Sequence, residues 1–174
     1  NNYDDDGTLI ASDKGIPYYT KTYIEFRVHN GTIDSSSCGI PIEIGLSNSQ
    51  GTILSKSILM RLLHKSQTEY TIREIINRVP YERYETNMKT SNTFSQEEVI
   101  GVGFDLQNQS INIYMNNQLM VTVKTSHIEY KNANDMMYFV LHDYGVFTGY
   151  VYGYINYGYT DFENSIPDGY MSLW

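Results

Sequence analysis

The chain of 174 residues has one cysteine, one tryptophan and four prolines, and only 12 lysines and arginines against 20 aspartates and glutamates. Cys38, being alone, excludes an internal disulfide, so stability must come from packing. Its place after Ser35, Ser36 and Ser37 and before Gly39 suits a small buried thiol rather than a reactive one. A net charge of -8 leaves no basic footprint for nucleic acid or for an anionic membrane surface. No apolar run reaches the roughly 18 residues that a spanning helix needs, and no basic start followed by an apolar segment marks a signal peptide. The chain opens on Asn1 and not on methionine, so the expectation is a fragment or a processed product.

What the chain does have is tyrosine, 17 residues against six phenylalanines. Tyrosine favours strands and half-buried positions that leave its hydroxyl wet. The length fits one domain with a real core. The clearest pattern is Val99 to Met115, VIGVGFDLQNQSINIYM. Ile100, Val102 and Phe104 alternate with Gly101 and Gly103, and Ile111, Ile113 and Met115 alternate in a second run, the period of strands burying one face. The glycines lie on the opposite face and leave room for another chain segment to approach closely. Asn116 and Asn117 tolerate positive φ and suit a tight hairpin, after which Leu119, Val121 and Val123 complete a three-stranded meander.

This stretch, continued to Leu119, resembles the central strands of the SPRY domain. TYIEFRV (Thr22 to Val28) is similar to the opening strand of that family, PIEIGLS (Pro41 to Ser47) to its glycine-bearing second strand, and YVYGYINYGYTDF with IPDGYMSLW to its closing end. The order and spacing agree from about Lys21 to Trp174. The resemblance implies an all-β protein, a bent antiparallel β-sandwich of SPRY or concanavalin-like type, which recognises partners through loops and has no chemistry of its own. The domain expected is residues 21–174, after a polar lead-in over 1–20.

Between Gly51 and Glu98 the likeness is weakest. Thr71 with Glu74 forms a capping-box pattern, and Ile72, Ile75, Ile76 and Val79 fall at i, i+3, i+4 and i+7 before Pro80, which predicts a short helix near 71–79. The β-branched content lowers helix propensity, so a bent strand pair stands as the alternative. Ser57 to Leu63 reads as strand or helix.

The motifs of chemistry are sparse. Asn2, Asp4, Asp6, Gly7, Thr8 and Asp13 match positions of a calcium loop, but no paired helices flank them and a solvated acidic turn is the default reading. His29, His64, His127 and His142 show no ligand spacing, so no metal site is expected. No E-x-D-x-x-E triad of the kind glucanases carry, no G-x-S-x-G and no phosphate-cradling glycine loop is present, and the chain is read as a non-enzyme with no cofactor.

The positive signal is tyrosine and arginine in turns, residue types over-represented at binding hot spots. Tyr81, Arg83 and Tyr84 follow Pro80, and His142 and Asp143 read as a surface pair beside Tyr144 and Gly145. The resemblance places Tyr144 and Gly145 in a ligand-contacting loop, and Ser47, Asn48 and Gln50 in a loop of polar contacts. The function expected is recognition of a protein or peptide by these loops. The alternatives are a lectin-like module that binds glycan on a phage tail or other surface assembly, and a structural assembly domain. Neither nucleic acid nor membrane insertion is expected.

Overall fold

The structure, a computed structural model, describes residues 9–29, 42–50, 56–61, 70–77, 79–85, 98–130, 134, 136–143 and 152–174. In chain order the strands are β1 (Leu9–Ile16), β2 (Lys21–His29), β3 (Ile42–Ser47), β4 (Lys56–Arg61), β5 (Tyr70–Ile76), β6 (Val79–Glu85), β7 (Val99–Asp105), β8 (Ser110–Met115), β9 (Gln118–Lys124), β10 (Met137–Asp143), β11 (Tyr152–Asn156) and β12 (Tyr170–Ser172). They form two sheets, β1-β10-β3-β4-β5-β6 (sheet A) and β11-β2-β7-β8-β9 (sheet B), with β12 running parallel to the start of β2.

Alternation explains the layering. Ile24 and Phe26, Ile100, Val102 and Phe104, and Ile111 and Ile113 turn one face of sheet B inward against Ile44, Leu46, Ile58, Met60, Ile72 and Phe139 of sheet A. Phe104 and Phe139 meet edge to face across the layers with centroids 5.8 Å apart. Burial of each such side chain contributes about 1.5–3 kcal/mol, and this core is the main source of stability. Asn116 (φ 51°) and Asn117 (φ 61°) form the expected β8–β9 hairpin.

Three expectations change. Residues 71–79 are not a helix. The described residues 71–77 and 79 belong to the β5–β6 strand pair, the alternative reading, with Asn77 at φ 49° after β5. The helical spacing arises because β5 is apolar on both faces, with Ile72 in the main core and Ile75 in a second cluster with Leu59 and Val140 on the outer face of sheet A. Pro80 sits on β6, the edge of that sheet, where a missing N–H is tolerated. The supposed lead-in contains β1, paired with β10, and its alternation is broken by a register shift between Ala11 and Gly15. His142 and Asp143, expected as a surface pair, are the last residues of β10, and His142 is buried. Ser57 to Leu63, readable either way, begins as β4. Cys38 and most of the acidic turn, Asn2 to Thr8, lie outside the described residues.

Candidate functional site

The loops expected to cooperate leave sheet A at opposite ends. β3 and β10 are antiparallel neighbours, with Ser47 beside Tyr138 and Ile42 beside Asp143. Five residues of strand, about 17 Å, separate the two ends. At one end the polar atoms hold the turn together: Ser47 Oγ accepts from Ser57 Oγ (3.0 Å), the Lys56 N–H donates to Asn48 Oδ1 (3.1 Å), and Gln50 Nε2 donates to the Ser12 carbonyl (2.8 Å). At the other end His142 Nδ1 lies 3.0 Å from Glu43 Oε2, which also accepts from Arg73 Nη2. All three side chains are buried on the outer face of sheet A. Thus His142 is part of a buried charged cluster and not of a surface pair. Tyr84 falls in the same cross-sheet row, through Thr71, Arg61 and Glu43, with three strands between it and β10. Tyr144 and Gly145 lie outside the described residues.

Tyr81 and Arg83 are brought together on the inward-directed side of β6, opposite Glu74 and Ile72. The Tyr81 ring stacks on His127, centroids 4.3 Å apart and 15° from parallel. Arg83 donates to Glu74, to the Ser126 hydroxyl (2.9 Å) and to the Lys124 carbonyl. Glu74 is fully buried and accepts the backbone N–H of Ser126 (2.9 Å), His127 (3.0 Å) and Ile128 (3.1 Å) and the Ser126 hydroxyl (2.7 Å). Burial alone would push its carboxyl upward. The Ser126 hydroxyl and the three N–H groups outweigh burial and hold it down at about 2. This carboxylate clamps the segment after β9, in sheet B, to β5 and β6 in sheet A. Tyr81 is left 41% exposed on a rigid base.

No protein-family model matches the sequence, and no curated protein matches it. By structure the chain is similar to the SPRY domain of human HERC1, with 12% identity, a TM-score of 0.52, and coverage of 86% of this chain and 80% of the other. It is also similar to carbohydrate-binding module CBM66 from Bacillus subtilis, with 9% identity, a TM-score of 0.50, and coverage of 88% and 84%. The fold is SPRY-like.

The segment after β11 covers the outer face of sheet B. Phe162 meets Tyr23 edge to face at 5.1 Å, and Tyr170 lies over Gly103. Glu25, buried on β2, accepts the N–H of Glu163 (2.9 Å) and of Asn164 (2.8 Å). Asn156 donates to the carbonyls of Thr160 (3.2 Å) and Asp161 (3.1 Å) and accepts the Gly158 N–H (2.9 Å). Gly158 has φ +105°, and a Cβ there would stand 2.3 Å from Ser172 Cβ, so glycine lets the loop close on β12. The result is an open cleft of about 360 Å³ between this loop and β12. The cleft escaped sequence reasoning, as did Glu25, Glu43, Arg73 and Glu74. Their one signal in the sequence is a charged residue within an apolar run, such as Glu25 between Ile24 and Phe26.

Proposed function

We propose that this SPRY-like domain is a non-catalytic recognition module for a protein or peptide, with Tyr81 as an anchor at the β6 edge and Arg83 as its support. The observation that carries the reading is the Tyr81–His127 stack, because it fixes an exposed aromatic ring before any partner arrives. A preordered tyrosine loses little conformational entropy on binding, which is why such side chains dominate hot spots. Val79 lies two residues away on the same side of β6 and is 49% exposed, so anchor and apolar neighbour form one strip. Among the described strands β6 is also the edge of sheet A, and an extended peptide can pair with such an edge through its main chain. The non-catalytic reading is supported by the use made of the buried carboxylates. Glu25 and Glu74 accept backbone N–H groups, Glu43 faces Arg73 and His142, and these carboxylates lie at separate places in the fold. Selection from a displayed peptide library, followed by titration of the best peptide, tests the proposal. Tyr81→Ala is expected to weaken binding by more than about tenfold with the melting temperature preserved, and equal affinity for wild type and variant would remove the β6 edge as the site.

A further inference from the structure

The cleft between the loop after β11 and β12 has a composition that selects a ligand. The residues that line it are mixed in character: Phe162 and Ile166 are apolar, Thr160, Ser172 and Asn164 are polar, and Asp161 is acidic. An anionic ligand would meet Asp161 with no cation among the lining residues, in a chain already carrying -8. A purely apolar ligand would lie against the exposed Thr160 and Asp161 without satisfying their polar atoms, which costs free energy. A sugar ring has a C–H face for the apolar wall and a rim of hydroxyls for the polar one. The volume, about 360 Å³, lies at the low end of small-molecule sites and suits one or two rings.

The loop that lines the cleft also carries an aromatic platform. Tyr159, between lining residues Gly158 and Thr160, stacks on Trp174 with centroids 4.5 Å apart and 26° between planes, and the Lys14 ammonium lies 3.3 Å from the centre of the Trp174 ring. Tyr159 nevertheless stays 68% exposed, so its other face is bare while the ring is held in place. Asn156, Glu25 and Gly158 fix the loop that carries it, so the site is formed before a ligand binds.

We propose that this cleft is a binding site for a neutral saccharide, with one ring stacked on Tyr159 and its hydroxyls hydrogen-bonded to Asp161 and Thr160. The site is separate from the β6 edge and stands whether or not that edge binds peptide. Trp174 is the single tryptophan of the chain, so its fluorescence reports directly on the neighbouring platform. A neutral-glycan array, followed by fluorescence and calorimetric titration with maltotriose, cellotriose, mannotriose and any glycan the array selects, tests the proposal. At least one is expected to shift Trp174 emission saturably. Calorimetry should then show Tyr159→Ala and Asp161→Ala each weakening its affinity at least about tenfold, and Tyr81→Ala leaving it unchanged. Both side chains are exposed, so the variants are expected to keep the wild-type melting temperature. Failure of every neutral glycan to bind, or binding that survives both substitutions in the cleft, would overturn the assignment.

Discussion

The Asn164 N–H donates to the Glu25 carboxylate at 2.8 Å, across 139 residues of sequence. The neighbouring Glu163 N–H donates to the other carboxylate oxygen, and the Tyr23 hydroxyl to the first at 3.3 Å. Glu25→Ala removes a charged acceptor from two backbone donors, and hydrogen bonds to charged groups contribute about 1.5–3 kcal/mol each. A loss of about 3 kcal/mol in urea unfolding is expected, and the Glu163 and Asn164 amides should exchange hydrogen faster than those of β7. Unaltered exchange at these two amides would show that the carboxylate does not hold the segment.

Gly101→Ala should be poorly tolerated. An added Cβ would stand 2.0 Å from the Tyr23 hydroxyl and 2.6 Å from its ring, and Tyr23 is boxed in by Tyr114 and Phe162. Overpacking of this kind costs about 1–3 kcal/mol. Because the hydroxyl oxygen is the nearest atom, adding Tyr23→Phe to Gly101→Ala should recover part of the loss, readable as a partial return of the melting temperature.

Acid should weaken the tie between the sheets at Glu74. Its folded carboxyl titrates at about 2 against an ordinary value of 4.5, so the stabilisation is complete above 4.5 and disappears as pH falls toward 2. The shift corresponds to on the order of 3 kcal/mol. Unfolding free energy measured from pH 6 to pH 2 should fall within that window, and Glu74→Gln should flatten this part of the profile while lowering stability at neutral pH.

Glu43 and Arg73 should be strongly coupled. Removing one member of a buried ion pair costs about 3–5 kcal/mol, whereas replacing both with apolar residues of similar size is often nearly neutral. Glu43→Leu alone is therefore expected to destabilise the domain more than Glu43→Leu combined with Arg73→Met. Strict additivity in the double-mutant cycle would mean that the pair contributes nothing as a pair.

The parts of the fold legible in the sequence were those with one buried face and an unambiguous turn. β7, β8 and β9 alternate cleanly and Asn116–Asn117 fixes their hairpin, while the room left by Gly101 and Gly103 is taken by Tyr23 and Tyr170. β1 was hidden by its register shift, and β5 showed a helical period because Ile72 and Ile75 are buried on opposite faces. The binding residues were harder for a different reason. Ser47 and His142 each occupy the end of a strand, but whether two strand ends are near or far depends on β3 and β10 being antiparallel neighbours, which no local pattern encodes. Glu74 reads in the sequence as the capping-box partner of Thr71, and neither it nor Glu25 is legible as a clamp, because the N–H groups that satisfy them come from segments remote in sequence.

Arg73 has one further consequence, for how sheet A assembles. It points outward between Ile72 and Glu74, which point inward. Slippage of β5 by a single residue against β4 would exchange those directions and drive a guanidinium in among Ile44, Met60 and Phe139. A lone cation in hydrocarbon costs far more than any apolar contact the misaligned strand could regain. The buried cation therefore discriminates between alignments while the sheet is forming, a role separate from what the pair adds to the stability of the finished sheet.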